Sequence, residues 1–174
     1  MKTLERIQVR RLDMLVGYWL RRAQEASFSA FARRVEAHKI WPGWFTIMLL
    51  IHENPQINQT SLSSATGRDK STLTTSLRQL MTAGLVSRRR DQADRRSFRL
   101  TLTRRGEALL KELNVHARAH DRMLDSIVGE EGKAVLLSML KKLTKQLQCR
   151  ETRANRAAKA CHDKAAAPPP LRWP

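Results

Sequence analysis

Residues 58–103 read NQTSLSSATGRDKSTLTTSLRQLMTAGLVSRRRDQADRRSFRLTLT, and this stretch decides the fold. Asn58 and Asp69 are residue types that cap helix N-termini, and Gly67 and Gly84 stand where the helices that follow these caps would end. Only one residue separates the first glycine from the second cap, which leaves room for a tight turn alone. Two short capped helices joined in this way are typical of a helix-turn-helix.

The second capped helix separates its apolar residues from its polar ones. Its apolar positions recur at helical spacing on one face: Leu73, Leu77, Leu80 and Met81. The other faces carry short hydroxyl and cationic side chains: Lys70, Ser71, Thr74, Thr75 and Arg78. Such side chains near a helix N-terminus suit the base edges and phosphates of a DNA major groove. The positive end of the helix adds attraction for phosphate.

Beyond this helix the pattern becomes extended. LVSRRR (85–90) suits one strand, and in SFRLTLT (97–103) apolar residues alternate with polar ones as in a second strand. The intervening DQADRR (91–96) is polar and suits a hairpin tip. A helix-turn-helix followed at once by a basic hairpin predicts a winged helix.

Positive charge is concentrated in the same stretch. The chain of 174 residues contains 33 Lys and Arg against 16 Asp and Glu, a formal net charge of +17. Residues 68–105 contain eleven of these cations and three Asp, a net +8. A basic surface of this kind favours nucleic acid as the partner, ahead of an anionic membrane surface.

Long helices flank the winged region on both sides. The spacing of an amphipathic helix occurs within residues 8–37, at Leu12, Leu15, Val16, Trp19 and Leu20. A mostly apolar helix, WFTIMLLIHE, follows Pro42, and beyond the wing Thr103 caps one helix and another begins after Gly129. The expected fold is therefore mainly α with a small β-hairpin wing.

Four regions are expected along the chain. They are an N-terminal helix (1–38), the winged helix-turn-helix (41–103), C-terminal helices (104–148) and a disordered basic tail (149–174). The tail is Ala-rich, ends in prolines and lacks a sustained apolar face. Cys149 and Cys161 form no metal or disulfide framework, and no apolar run is long enough to cross a bilayer. We expect a soluble, cytoplasmic protein with no membrane partner.

The winged region resembles the DNA-binding core of the MarR family of bacterial transcriptional regulators. The resemblance rests on four motifs: DKST opening the second helix, L-x-x-L-x-x-x-GLV leading into the wing, D-x-x-D-x-R in the wing, and LT-x-x-G at Leu102, Thr103 and Gly106. It is strongest over residues 57–110. It implies a homodimer in which the N-terminal helix (1–38) and the C-terminal helices (104–148) serve dimerisation. That dimer would place two winged helices on a pseudo-palindromic DNA operator.

The resemblance also implies individual roles. Arg96 matches the wing arginine that enters the minor groove, Arg95 is expected at a phosphate, and Asp94 matches the acid that shapes the wing. Ser71, Thr72, Thr74, Thr75 and Arg78 match the surface that reads DNA. The remaining expected DNA contacts are Thr60, Ser61, Arg68, Lys70, Arg88 and Ser97.

A shorter resemblance concerns an effector. GYWLRRAQ (17–24) is similar to the first helix of MarR members that respond to hydroxycinnamates or their CoA thioesters. It implies a pocket for an aromatic acid or its CoA thioester, with candidate residues Trp19, Arg21, Arg22, Trp44, Phe45, Met48 and His116. Plain core or dimer packing is the alternative for the aromatic residues, and surface charge is the alternative for the two arginines. His116 and His120 have helical metal-ligand spacing but lack a second half of a site, so no metal is expected.

Two functions remain open from the sequence. The first is a sequence-specific repressor of a catabolic or efflux operon, relieved by a small aromatic acid or its CoA thioester. The second is a winged-helix nucleic-acid-binding protein of architectural type that needs no effector. No Gly-rich phosphate loop, G-x-S-x-G or H-E-x-x-H motif occurs, so neither an enzyme nor a cofactor is expected.

Overall fold

The computed structural model describes residues 11–38, 40–91 and 97–165. Its elements, in chain order, are α1 (Val16–Val35), a 3-10 turn (Glu36–His38), α2 (Pro42–Glu53), β1 (Ile57–Asn58), α3 (Gln59–Thr66), α4 (Lys70–Thr82), β2 (Val86–Arg90), β3 (Phe98–Leu102) and α5 (Arg104–Ala165). The chain divides into two compact units, one within Met1–Arg122 and one within Met123–Pro174. The first unit is a winged helix, so the expected mainly α fold with a small β wing is confirmed.

Helix α1 begins later than the sequence pattern indicates. The apolar spacing starts upstream, but the described residues 11–14 form turns and the helix begins at Val16. Leu15 has extended backbone angles and no side-chain cap, and Gly17 lies in the first turn. Glycine in a helix interior is about 1 kcal/mol less favourable than alanine, so Gly17 favours a helix that begins here over one that begins upstream. Within α1, Phe31 and Val35 are the buried positions, and they pack with Leu113 of α5.

Helix α2 is the centre of the main core. Pro42 occupies its first turn, and Ile47, Met48 and Ile51 are fully or almost fully buried. Around them pack the buried leucines of α3, α4 and α5 and the apolar residues of the sheet: Leu62, Leu73, Leu77, Leu80, Leu85, Val86, Leu100 and Leu110. The apolar character of α2 on most of its surface follows from this central position.

The two short helices form as their capping residues predict. The Asn58 carboxamide oxygen accepts a hydrogen bond from the Ser61 amide at 2.8 Å, and Gly67 ends α3 in a left-handed conformation with φ of 64°. Asp69 caps α4, and Gly84 follows the end of α4 with φ of 68°. The helix-turn-helix is therefore confirmed at both caps and both ends.

The sheet has three strands, whereas the sequence indicates only two. β2 and β3 pair antiparallel, as the hairpin prediction requires, and β1 pairs antiparallel with the other edge of β3 through Ile57 and Leu100. A two-residue strand is too short to show the alternation by which strands are recognised. Its pairing is decided by the neighbouring strand and not by its own residues.

A close contact between Gly106 and Leu85 explains the LT-x-x-G motif. The Thr103 hydroxyl accepts the Gly106 amide at 3.0 Å and donates to the Gly84 carbonyl at 2.7 Å. This brings the first turn of α5 onto the start of β2. A Cβ on Gly106 would overlap the Leu85 carbonyl oxygen, so the position requires glycine. The motif therefore joins α5 to the wing.

Helix α5 differs from expectation at its end. Gly129 has non-helical angles (φ 71°, ψ 168°) and separates a segment of 104–128 from one of 130–165, as its position in the sequence predicts. The helix then continues to Ala165, so the expectation of a disordered tail is wrong for residues 149–165. Frequent Ala, Lys and Arg give that stretch a high intrinsic helix propensity, which does not need an apolar face. Residues 166–174 lie outside the described part.

Candidate functional site

The residues of α3 and α4 that are expected to contact DNA form an exposed surface on the first unit, which we call the recognition surface. Every residue that was expected to contact DNA from α3 and α4 has an exposed side chain: Thr60, Ser61, Lys70, Ser71, Thr72, Thr74, Thr75 and Arg78. A recess of about 410 Å³ brings four expected contacts together from α3, α4 and the wing: Thr60, Lys70, Arg88 and Ser97. The structure therefore assembles these residues into one polar concavity.

The start of α4 is organised by the Asp69 carboxylate. It accepts hydrogen bonds from the Ser71 hydroxyl, from the Thr72 hydroxyl at 2.6 Å and from the Thr72 amide at 2.8 Å. These bonds, that of Ser71 first, hold the pKa of the Asp69 carboxyl well below its usual range. The Ser71 and Thr72 hydroxyl protons are engaged by Asp69, so these two side chains present acceptor oxygens to a ligand.

A hydrogen bond between α3 and α4 was not foreseen from the sequence. Gln59 donates from its side-chain amide to the Thr74 hydroxyl at 2.7 Å, and that hydroxyl donates in turn to the Lys70 carbonyl at 2.6 Å. Thr75 donates to the Ser71 carbonyl at 3.2 Å. Both threonines are therefore held in fixed orientations on the exposed face of α4.

The base of the wing is fixed by an ion pair. Arg99 of β3 contacts the Asp91 carboxylate through Nε at 2.6 Å and Nη2 at 2.5 Å, and it also donates to the Gln56 carbonyl at 3.3 Å. The Asp91 amide donates to the Ser97 carbonyl at 3.1 Å, which closes the end of the hairpin. We call this set of contacts the wing clamp. From the sequence, Arg99 is only one of the polar residues that alternate with apolar ones in the second predicted strand.

Arg88 stacks on an aromatic ring of the neighbouring strand. Its guanidinium carbon lies 3.4 Å from the centroid of the Phe98 ring, and that of Arg90 lies 5.9 Å from the same centroid. Stacking leaves the edge of a guanidinium available to hydrogen-bond acceptors. The three remaining wing residues with expected roles, Asp94, Arg95 and Arg96, lie outside the described residues.

A separate cleft of about 580 Å³ lies within the first unit. Three aromatic rings line it, those of Phe28, Phe31 and Phe45, and the Phe31 and Phe45 ring centroids are 5.6 Å apart. The other lining residues come from α1, α2, α5 and the turn between α3 and α4: Gln24, Ser27, Pro42, Gly43, Thr46, Arg68, Ala117, Arg118, His120 and Asp121. The cleft thus joins an aromatic wall to a polar rim.

His120 is the buried polar group of this cleft. Its Nε2 lies 3.0 Å from the Ser27 hydroxyl oxygen, and its Nδ1 is buried without a hydrogen-bond partner among the described residues. Burial lowers the pKa of His120, and the nearby positive charge of Arg34 lowers it further, while Asp121 opposes the shift. The ring is therefore favoured in its neutral form, which can accept a hydrogen bond.

Only one expected effector residue, Phe45, lines this cleft. Trp19 is exposed and its indole donates to the Asp13 carbonyl at 2.9 Å, while Arg21 pairs with Glu25 at 3.1 Å. Arg22 is exposed, Trp44 packs against the main core and Met48 is fully buried within it.

The last expected effector residue, His116, belongs to a small polar contact between the 3-10 turn that follows α1 and helix α5. His116 Nε2 lies 3.3 Å from Nε2 of His38, whose Nδ1 lies 3.5 Å from Glu112. Within the described part of the chain, no group of three metal-ligating side chains forms a metal site. Over the same residues, no helix combines the length and apolarity that a membrane span requires.

Comparisons with known proteins extend over most of the chain. The model of the family described as "MarR family" matches residues 42–98. A Thauera aromatica protein, named as a regulator of the hcr operon, is 30% identical over 132 residues, which cover 75% of this chain and 80% of that protein. The HTH-type transcriptional regulator BilQ of Clostridium symbiosum is 32% identical over 106 residues, covering 59% of this chain and 72% of that protein.

The solved structures of the repressor CouR resemble most of the chain. CouR bound to a 23-mer DNA duplex superposes with a TM-score of 0.73 at 33% identity, covering 79% of this chain and 98% of that one. CouR bound to p-coumaroyl-CoA superposes with a TM-score of 0.72 at 30% identity, covering 79% and 97%. These relatives are transcriptional regulators. The residues that the family model matches, 42–98, include the helix-turn-helix and β2 of the wing.

Proposed function

This chain belongs to the MarR family of transcriptional regulators, and from that premise we propose that it is a repressor released from DNA by an anionic aromatic effector. The effector class is an aromatic acid or its CoA thioester, and the regulated genes form a catabolic or efflux operon. The coarser function, a DNA-binding transcriptional regulator, follows from the family.

The observation that carries the effector proposal is the position of the aromatic cleft. Its lining includes Arg68, which lies in the turn between the two helices of the helix-turn-helix. A ligand in the cleft would therefore contact the turn that precedes α4, the helix expected to enter the major groove, which we call the recognition helix. The volume of about 580 Å³ falls in the range of small-molecule sites. The relative CouR, bound in one structure to p-coumaroyl-CoA, suggests the chemical class.

The DNA-bound species in this proposal is a homodimer. Two exposed apolar surfaces offer a dimer interface, each in its own unit. One, on and just before α1, includes Leu12, Leu15, Val16, Trp19 and Leu20, and the other, on α5, includes Val135, Leu136, Met139, Leu140, Leu143 and Leu147. In a dimer the recognition helices would meet half-sites of a pseudo-palindromic operator about one helical turn apart, roughly 34 Å.

Each winged helix would contact both grooves of the duplex. The exposed hydroxyl and cationic residues of α4 would meet the major groove, Thr60 and Ser61 the backbone, and Arg96 the minor groove. We place the protein in the cytoplasm, where it has access to the chromosome.

Release follows from a shift between two arrangements of the dimer. The effector can shift that equilibrium only by its differential affinity, typically about 1–3 kcal/mol, which corresponds to a change of roughly 5- to 150-fold in DNA affinity. This magnitude is large enough to measure directly.

The test is a gel shift on the DNA that flanks the protein's own gene, with competitor DNA present. We expect binding at least ~10³-fold tighter than to unrelated sequence. Hydroxycinnamates or their CoA thioesters should weaken it. Equal affinity for all sequences would support the architectural alternative, and specific binding that no compound of either class weakens would remove the effector proposal.

A further inference from the structure

Arg68 occupies a position between the DNA-binding helices and the aromatic cleft. Its backbone is held in the turn, because the Ser63 hydroxyl donates to the Arg68 carbonyl at 3.0 Å and the Arg68 amide donates to the Thr66 hydroxyl at 3.4 Å. The next residue, Asp69, caps the recognition helix. The Arg68 side chain is half-buried and lines the cleft. The family resemblance of the sequence predicts Arg68 as a DNA contact.

The guanidinium of Arg68 packs directly on Gly43, the second residue of α2. A Cβ on Gly43 would overlap Nη2 of Arg68 and lie 3.2 Å from its Cζ. The glycine therefore provides the space that the guanidinium occupies. Helix α2 has no side-chain cap, and its first two residues, Pro42 and Gly43, line the cleft together with Arg68.

Within the part of the chain that the structure describes, the Arg68 charge has no acidic partner. Among the described residues, no carboxylate lies within ion-pair distance of the Arg68 guanidinium. Arg118 adds a second cation to the lining, and Asp121 is the one acid among the lining residues. A guanidinium without an acid partner, beside an uncapped helix end, favours an anionic ligand.

Another lining residue of the cleft supplies a second, independent sign of a ligand. His120 is 9% exposed, lines the cleft, and its Nδ1 lacks a partner among the described residues. Buried polar atoms are seldom left unsatisfied in the absence of a ligand or water. Its ring lies 5.5 Å from that of Phe31, centroid to centroid, next to the aromatic wall. An aromatic ligand with a hydroxyl for His120 and an anionic group for Arg68 would match these two lining residues.

We propose that Arg68 is the anion receptor of the cleft, and that effector and DNA compete for its guanidinium. The anionic group is a carboxylate or a phosphate, and it binds the guanidinium over Gly43 and the N-terminus of α2. This inference rests on the proposed function, since it names the residue through which that cleft acts. While the effector holds Arg68, the same guanidinium cannot neutralise a DNA phosphate, and the turn before the recognition helix is tied to the cleft.

The test uses four full-length proteins: wild type, Arg68→Gln, Gly43→Ala and Lys111→Gln. Arg68→Gln removes the cation, whereas Gly43→Ala retains it and places a methyl group in the space that it occupies. The displaced atoms are the end of a flexible side chain, so Gly43→Ala should fold. Lys111 is exposed on α5 and does not line the cleft, so Lys111→Gln controls for the loss of one charge. Thermal melts check that each variant is folded.

Ligand binding is measured by titration calorimetry with p-coumarate, its neutral methyl ester, p-coumaroyl-CoA and CoA alone. We expect wild type and Lys111→Gln to bind at least one anionic aromatic ligand at least ~10-fold more tightly than the ester. Arg68→Gln and Gly43→Ala, the two cleft variants, should lose this preference for the anionic ligand. Their affinity for the ester should stay within about twofold of the wild-type value. A preference for p-coumarate assigns a carboxylate to Arg68, and a preference confined to the CoA compounds assigns a phosphate.

DNA release is measured as the ratio of DNA Kd with and without ligand for each protein. In wild type and Lys111→Gln the ratio should be at least about 5, and in Arg68→Gln and Gly43→Ala it should approach 1. If both cleft variants still prefer the anionic ligand and are still released from DNA by it, the proposed role of Arg68 is wrong and the proposed function stands. A wild-type protein that binds none of the anionic ligands and stays on DNA overturns the proposed function itself, and this inference with it.

Discussion

Replacing Asp91 with asparagine separates two physical accounts of how the wing contributes to DNA binding. The substitution removes a negative charge from a basic hairpin and raises the formal net charge of the chain from +17 to +18. If charge alone governs binding, DNA affinity should rise. If the wing clamp governs it, affinity should fall, because Asp91 pairs with Arg99 and thereby connects the hairpin base to Gln56. The two accounts predict opposite signs.

The size of the effect follows from the geometry of the clamp. Asp91 accepts from two nitrogens of Arg99 and has a side-chain exposure of 11%, while Arg99 has 41%. A hydrogen bond to a charged group contributes about 1.5–3 kcal/mol, and the partial exposure of Arg99 reduces this to about 1–2 kcal/mol. For a chain of this length that free energy lowers Tm by about 2–8 °C. If DNA binding must supply the same ~1–2 kcal/mol to order the wing of Asp91→Asn, the affinity of this variant for DNA falls roughly 5- to 30-fold.

The assay is fluorescence anisotropy on operator DNA at several salt concentrations, with Tm measured in parallel. Glu53→Gln is the matched control, because Glu53 is exposed, forms no ion pair within the described residues, and its substitution changes the net charge by the same amount. We expect Glu53→Gln to bind DNA as well as wild type or slightly better. An Asp91→Asn protein that binds as tightly as Glu53→Gln would refute the clamp.

Three further predictions concern stability. Gly106→Ala should lower the free energy of unfolding by about 1–3 kcal/mol in urea, because its Cβ would overlap the Leu85 carbonyl oxygen; unchanged stability would mean that the contact relaxes freely. Asn58→Ala should cost about 1 kcal/mol through loss of the α3 cap, whereas Asn58→Asp should retain stability, since aspartate caps equally well. His120 has a lowered pKa in the folded protein, so below about pH 6.5 the unfolded chain binds a proton that the folded chain does not. The stabilisation of the folded state by neutral His120 is therefore present above that pH and is lost as pH falls. In His120→Gln the free energy of unfolding should change less between pH 7.5 and 5.5 than in wild type.

Local signals predicted the winged region closely. Asn58 and Asp69 cap their helices through hydrogen bonds to amides a few residues along the chain, so their residue types and spacing carry the information. Gly67 and Gly84 end the helices for a similarly local reason, since glycine adopts positive φ without a Cβ clash. The exposed face of α4 follows from helical periodicity. Each of these features depends on contacts within a few residues.

The aromatic cleft forms through contacts between distant parts of the chain, which local sequence patterns do not predict. The sequence indicated seven residues, chiefly from the aromatic and basic residues of α1 and α2, and only Phe45 lines the cleft. Met48 is spaced like a lining residue but is fully buried in the core. Phe28, Phe31 and His120 line the cleft because α1, α2 and α5 pack together, over separations of up to 93 residues between hydrogen-bonded partners.

The sequence by itself therefore determined the helix-turn-helix, the basic hairpin and their affinity for a polyanion, because capping, periodicity and charge act over short stretches of chain. Tertiary structure alone decided which side chains meet across those stretches. It placed β1 beside β3, paired Asp91 with Arg99 across the base of the wing, and turned the Arg68 side chain toward Gly43 in the cleft. The physical reason is that a residue's neighbours within its own helix or strand follow from spacing, whereas its neighbours in another element follow only from packing of the core.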